Sequence, residues 1–411
     1  MLLTNGARNG CTKLFLCAAV VFFLTAPGSL SSGKNPAAAK LAEGNNSFAF
    51  KLYDKLRSSE GNILFSPWSV SSALAMTYSG ARGNTASEMR KALDFRPEQT
   101  ELPSAFKNLN RELTSGAGRD GQKLNIANGL CLTGGEPGGG YKALLKEDYD
   151  AEIFPGGLSE INGWVKRKTE GKIEKILESL DANSAFVILN AIYFKGTWDS
   201  RFNKSDTHDA PFKLAGGKET AVPMMFQKNR YKMLEKQGFQ AISIPYKGKG
   251  LSMVIFLPDQ AGGLPGLEKL LTWENVKGWI AELDGRPELE TLLSLPRFKV
   301  ETGYDLVAPF KSLGMREAFD AGVADFGGMG FKKGALSISQ IRHKAFADVN
   351  EEGTEAAAAT AVEMKVTCVP RYPVFCADRP FVFIIRDNFS GSILFIGRVA
   401  DPRPQQESAS K

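Results

Sequence analysis

The chain has 411 residues, 43% of them hydrophobic and 23% charged, which is ordinary globular material with enough apolar bulk for a large core. Its formal charge of +6 is too mild to argue for nucleic acid, and no basic cluster recurs with interleaved aromatics. Neither a nucleic-acid partner nor a disulfide-stapled scaffold is expected.

Residues 1–32 read as a secretory signal. Arg8 and Lys13 precede the apolar run Leu14–Leu24, and small residues follow. That run is too short to span a bilayer and no second one follows, so no membrane association is expected. Cleavage between Gly28 and Ser32 would release a secreted, extracellular chain, its charge lowered from +6 to +4 by loss of Arg8 and Lys13. Residues 33–46 read as a flexible leader. Cys11 and Cys17 leave with the signal, so Cys131, Cys368 and Cys376 remain, an odd number; Cys131, in LNIANGLCL, reads as a buried small apolar residue.

Asn45, Asn203 and Asn388 each head an Asn-x-Ser sequon and are glycosylation candidates in a secreted protein. From Ser47, FAFKLYDKLR spaces Phe48, Leu52 and Leu56 for a helix, and Asn62–Phe65 is a short strand. Ser66 then caps a helix opened by Pro67, and Thr85-x-x-Glu88 has the form of a capping box for the next helix. Leu102–Leu113 is helical, with Lys107 and Arg111 one turn apart. KLNIANGLCL is strand-like. The glycine run Gly134–Gly140 is a flexible turn and not a phosphate cradle, because no Lys-Ser/Thr follows it. A helix lies around Tyr141–Ala151, and a short one covers INGWVKRKTEGKI. Ala185–Trp198 is a near-continuous apolar run of central-strand type. Residues 220–257 alternate as strands with a hairpin near Lys247–Gly250. Leu264–Leu283 holds two helices, Leu293–Glu301 is strand, Tyr304–Phe319 is helical, and Ser337–Asn350 is strand. No linker or repeat interrupts residues 47–402, which read as one domain, and 403–411 as a flexible tail.

The stretch that follows, Glu351–Phe381, is the most informative. An Ala-rich run favours helix by propensity. Read with period two, however, Thr354, Ala356, Ala358, Thr360, Val362 and Met364 share one side, and every charge falls on the other. That is a strand with one buried face, and its small side chains suit insertion between two existing strands. Pro370 and Pro373 keep the second half out of a sheet interior.

Hydrolytic and metal chemistry find little support. His208 and His343 are the two histidines; no G-x-S-x-G, H-E-x-x-H or paired-cysteine spacing occurs. His208 sits in a polar loop. His343 shares a strand face with Ile341, Ala345 and Ala347, as a core histidine bonded to its neighbours would. No enzyme activity, cofactor or metal is expected.

NILFSPWSVSSALAM, LNAIYFKGTW, SLPRFK, HKAFADVNEEGTEAAAATA and RPFVFIIR together make the chain, from Ser47 to Pro402, resemble the serpins, the serine protease inhibitors. The resemblance implies an α+β fold, the serpin fold, of three β-sheets with about nine helices and an exposed reactive loop. It departs from the family's pattern at INGWVKRKTEGKI, where serpins usually have a longer helix. The implied function is suicide inhibition by a monomer, with an elastase-like or broad-specificity serine protease as partner in a covalent 1:1 complex. A non-inhibitory carrier, chaperone or storage protein is the alternative. In some serpins the helix matching Leu102–Leu113 binds heparin; here a glycosaminoglycan partner would rest on Lys107 and Arg111 alone.

Carried over residue by residue, the resemblance implies a reactive-loop hinge of Glu351, Glu352, Gly353, Thr354, Glu355, Ala356, Ala357, Ala358, Ala359, Thr360 and Ala361. Counting fifteen residues from Gly353 puts the reactive bond at Thr367–Cys368, with Val366 or Cys368 as acyl residue if the count shifts by one. Ser66, Ser69, Asn190 and His343 match a polar cluster, the shutter, under the sheet centre. Trp198, Arg297 and Glu351 match the breach where insertion starts, with an Arg297–Glu351 ion pair. Cys368 and Cys376 either pair or stay as thiols.

Overall fold

The computed structural model describes residues 36–115, 121–133, 135–180, 186–354 and 372–403. The signal, residues 355–361 of the hinge, the Thr367–Cys368 bond and residues 404–411 lie outside them.

The described chain opens on helix α1 (Pro36–Leu56), strand β1 (Ile63–Phe65) and helices α2 (Pro67–Gly80), α3 (Gly83–Ala92) and α4 (Leu102–Ser115). Strand β2 (Gln122–Leu132), helix α5 (Gly139–Tyr149), strand β3 (Ala151–Phe154), helix α6 (Leu158–Lys168) and strand β4 (Phe186–Thr197) follow. Next come β5 (His208–Lys213), β6 (Glu219–Lys236), β7 (Phe239–Pro245), β8 (Leu251–Pro258), α7 (Leu264–Leu270) and α8 (Trp273–Gly285). The last elements are β9 (Leu289–Pro296), β10 (Phe298–Asp305), α9 (Val307–Ser312), β11 (Gln340–Asn350), β12 (Gly353–Thr354), β13 (Val374–Cys376), β14 (Phe381–Asp387) and β15 (Ile393–Val399).

Three sheets result, as the α+β expectation holds. One runs β10-β11-β12-β4-β2-β3. The other two share the long strand β6, whose first part pairs with β5 and β9 and whose last five residues pair with β7. Beyond β7 the order continues β8-β14-β15-β1, and β13 closes the other end on β9.

Strand β4 shows why its sequence is apolar throughout. Phe186, Ile188, Ile192 and Phe194 enter the main core with α2, while Val187, Leu189, Ala191 and Tyr193 enter a second core. Both faces are buried, so no alternation survives. The second core is roofed by Ile161, Trp164 and Val165 of α6 and by Ile173, Ile176 and Leu177 beyond it. The short α6 therefore covers the sheet with help from the irregular chain after it. Cys131 is buried there, as its context suggested.

Four expectations need correction. Residues 36–46 are not a flexible leader but the first half of α1, which packs closely enough that a Cβ on Gly44 would lie 2.1 Å from the Asp94 carbonyl oxygen. Asn45 lies in the same helix at 1% exposure, so its sequon is sealed inside the fold. Its neighbour Asn46 ties α1 to the β15 end, donating to the Gly391 carbonyl and accepting from the Ile393 amide at 2.8 Å each. Thr85 and Glu88 form no capping box, since α3 starts before them. Thr85 instead donates to Glu317 and accepts from the Asp325 amide, and Glu88 accepts from the Arg316 and Glu317 amides. Finally, Tyr304 belongs to β10, and Tyr304–Phe319 is helical only in α9 and a 3₁₀ turn at Glu317–Phe319.

Candidate functional site

The site lies along the seam between β4 and β11. These strands pair in parallel from Val187↔Gln340 to Tyr193↔Phe346. Beyond that they part, and β12 fills the opening: Gly353 and Thr354 pair with Asn350 and Val349 of β11 on one side, and with Thr197 and Gly196 of β4 on the other. One end of the seam is thus already a three-strand arrangement, while the rest is closed.

At the closed centre, register places Asn128 of β2, Asn190 of β4 and His343 of β11 in one cross-strand row. The first turn of α2 stands over that row. Ser66 caps the helix by accepting from the Ser69 amide at 3.1 Å, and Pro67 needs no donor at that position. The Ser66 amide donates to His343 Nε2 at 3.1 Å, which leaves the ring proton on Nδ1 to bond Asn190 Oδ1 at 2.6 Å. Asn190 Nδ2 in turn reaches Ser69 Oγ at 2.6 Å and Asn128 Oδ1 at 2.8 Å, and Asn128 Nδ2 donates to Ser72 Oγ at 3.1 Å. The structure therefore brings Ser66, Ser69, Asn190 and His343 together. It adds Asn128 and Ser72, which sequence reading missed. Asn128 carried a signal: it is the polar residue on a β2 face otherwise formed by Leu124, Ile126, Leu130 and Leu132.

The open end is held by charge. Glu351, 1% exposed, accepts from Arg297 Nε at 2.7 Å and from Thr207 Oγ1 at 2.6 Å. Burial alone would raise its carboxyl; the bonds from Arg297, Thr207 and its own backbone, with the Arg297 charge, together hold the group below the usual carboxylate range. The buried Glu352 pairs with Lys204 at 3.0 Å. Trp198 fixes the backbone between them: its amide donates to the Glu352 carbonyl and its indole Nε1–H to the Asn350 carbonyl, each at 2.9 Å. Tyr246 stacks on the Trp198 ring with centroids 4.6 Å apart, and its hydroxyl shares a 2.8 Å hydrogen bond with Thr354. Gly353 has φ +147°, and a Cβ there would fall 1.9 Å from the Gly196 carbonyl oxygen, so no other residue fits. Trp198, Arg297 and Glu351 are brought together as expected; Thr207, Lys204 and Tyr246 had no signal in the sequence.

Away from the seam, His208 starts β5 and stacks on Phe226 with centroids 4.5 Å apart. Asn203 caps a 3₁₀ turn and is half-buried, while Asn388 is exposed with its amide bonded to Ser252 and Lys249. Lys107 of α4 pairs with Asp148 at 3.1 Å on the exposed surface. Cys376 is half-buried on β13, and Cys368 lies outside the described residues.

Burial pushes the His343 imidazole down from 6.5 to about 3. Between those values the unfolded chain holds the extra proton. The stability this group contributes is complete above pH 6.5 and drains away as pH falls toward 3. The loss is about 1.4 kcal/mol per pH unit, so about 2 kcal/mol at pH 5. Urea unfolding at pH 7 and pH 5 should show the parent losing about that much more than His343→Gln. Equal losses would place the pH sensitivity elsewhere.

Comparison with known proteins agrees with this geometry. The family model described as serpin (serine protease inhibitor) matches residues 43–402. Serpin B6 of Pongo abelii is 40% identical over 381 residues, covering 88% of this chain and 99% of its own. Leukocyte elastase inhibitor of Equus caballus is 40% identical over 389 residues, covering 88% of this chain and 100% of its own. Among solved structures, human thyroxine-binding globulin superposes with a TM-score of 0.81 at 29% identity, covering 90% of this chain and 100% of that one. Taken with the seam and its two polar anchors, these matches establish that the chain belongs to the serpin family.

Proposed function

We propose that this chain is a secreted suicide inhibitor of serine proteases, with Thr367–Cys368 as the bait bond. The observation that carries the reading is β12: two hinge residues already occupy the parted end of the β4–β11 seam. Continuing the period-two alternation of the sequence from Thr354 would turn Ala356, Ala358 and Thr360 to the inward side. Continued insertion would be strand addition, for which serpin loops are a general example.

The chemistry belongs to the target. Its serine Oγ attacks the Thr367 carbonyl, the amide nitrogen of Cys368 leaves with a proton, and Thr367 remains as an acyl ester. Cleavage frees the hinge, and the residues after Thr354, up to 364, follow β12 into the seam with the protease attached. The fourteen or so residues up to the ester would span roughly 46 Å as a strand. Dragging a folded protease that far against the body of the inhibitor would distort a triad that tolerates only small misplacement. Insertion must outrun hydrolysis of the ester, hence the value of small inward residues. The breach role of Trp198, Arg297 and Glu351 and the shutter role of Ser66, Ser69, Asn190 and His343 follow from where they sit on this path.

Thr367 with Val366 before it suits an elastase-like or broad-specificity pocket. Lys365 and Arg371 stand off the bond, so trypsin-like enzymes should be inhibited slowly or simply cleave. Were Cys368 and Cys376 paired, both would stay on the downstream piece and leave insertion free. Secretion is supported by Arg8, Lys13 and the apolar run Leu14–Leu24, which lie before the family match and before α1. Asn203 and Asn388 remain the glycosylation sites of such a protein. The carrier reading has the thyroxine-bound neighbour in its favour, but the small hinge residues favour the inhibitor.

Incubation with leukocyte elastase should give a heat- and detergent-stable 1:1 adduct, and the released fragment should begin at Cys368 by mass spectrometry. A fragment beginning at Tyr372 would overturn the assigned bond. Thr354→Arg, which puts a guanidinium on the buried face, should slow insertion by about tenfold or more and turn the inhibitor into a substrate. Undiminished trapping by that variant would rule out insertion along this face.

A further inference from the structure

The outer face of the sheet formed by β6, β9 and β13 sets the apolar side chains Phe226, Leu292 and Val374 among the charges of Lys228, Arg230 and Glu290. Val374 of β13 pairs with Leu292 of β9, which pairs with Lys228 of β6, so the three side chains share one row. Val374 is 53% exposed and Leu292 40%, two of only five large apolar side chains at least 40% exposed among the described residues. Their sequence neighbours Leu293 and Phe375 point the other way and are buried. The register is therefore set by the core, and the outer pair is not there to fill it. Beside the row, Lys228 Nζ lies 3.8 Å from the centroid of the Tyr372 ring, a cation–π contact that holds the ring against the sheet. Glu290, on the same face of β9, pairs with Lys228 at 3.6 Å. Phe226, half-buried, continues the apolar line along β6.

We infer that this face docks the target protease before acylation, on the leaving-group side of its cleft. The inference rests on the inhibitor reading and follows from the covalent tether. Tyr372 is the fifth residue after Thr367, so at most about 18 Å of extended chain separates it from the bait bond. A protease domain of about 230 residues has a radius of gyration of about 17 Å, so with its serine at Thr367 its body must overlie Tyr372 and the strands beside it. The chain downstream of a bait bond leaves through the leaving-group half of the cleft, and β13 begins seven residues after Thr367. The chemistry exposed on the inhibitor fits an apolar rim on the protease, since buried apolar anchors ringed by polar groups carry most interface energy. Such contacts act in the encounter. They set how fast the acyl-enzyme forms and leave untouched how it partitions between trapping and hydrolysis.

The test uses the full chain with leukocyte elastase as probe and compares the parent with Leu292→Asp/Val374→Asp. Phe389→Asp, at a residue 54% exposed in the turn between β14 and β15, serves as a control of equal apolar character. The double variant should lower the second-order rate of adduct formation about tenfold, with the stoichiometry of inhibition and the melting temperature unchanged, and the control should match the parent. An unchanged rate in the double variant, an equal loss in the control, or a change confined to stoichiometry would each overturn the docking face while leaving the inhibitor reading intact. A parent that is dimeric by sedimentation and becomes monomeric in the double variant would assign the face to self-association instead. Absence of any adduct from the parent would remove the inhibitor reading, and the docking face with it.

Discussion

A single hydrogen bond spans the middle of the β4–β11 seam at side-chain level: His343 Nδ1 to Asn190 Oδ1, 2.6 Å long and buried. Parallel pairing alone would let the two strands part from either end like any ladder. The Asn128–Asn190–His343 row changes that, because it joins three strands to the cap of α2. Separating β4 from β11 breaks this bond and leaves two buried polar groups without partners, at about 1–3 kcal/mol each. The main sheet is thus closed by polar chemistry at its centre and by apolar packing on both faces.

The open end works on opposite terms. Glu351 and Glu352 are carboxylates taken out of water, tolerable because Arg297, Thr207 and Lys204 meet them. Removing Arg297 would leave the buried Glu351 charge poorly compensated. Between these anchors the backbone of residues 350–354 is fixed by Trp198, and Gly353 lies against the Gly196 carbonyl, where a side chain would collide. The hinge is thereby held in register with the seam. In the proposed mechanism the next residue pair enters in line, and the β4–β11 ladder with its central polar row must part ahead of it.

Much of this was legible in the residues themselves, for identifiable reasons. The two-faced burial of β4, the Ser66-Pro67 helix start and the core character of His343 and Cys131 depend on local pattern, and the structure has them. Asn45 was misread because a sequon is a three-residue pattern, whereas its burial depends on α1 packing across α4 and β15. Thr85 and Glu88 had the right spacing for a cap, but distant backbone amides claimed both side chains. The Arg297–Glu351 pair joins residues 54 apart in sequence; only resemblance to a family could suggest it. Thr207 and Tyr246, whose roles arise from where separate sheets meet, gave no sign at all.

In the proposed mechanism the closed seam is a higher-energy arrangement than one filled by residues 353–364. Thermal unfolding of the intact chain and of the same chain nicked within residues 355–371, the cut placed by mass spectrometry, tests this directly. A filled seam predicts a markedly higher midpoint for the nicked protein, since an added central strand satisfies backbone groups on both edges and buries the inward hinge residues. An unchanged or lower midpoint would contradict it.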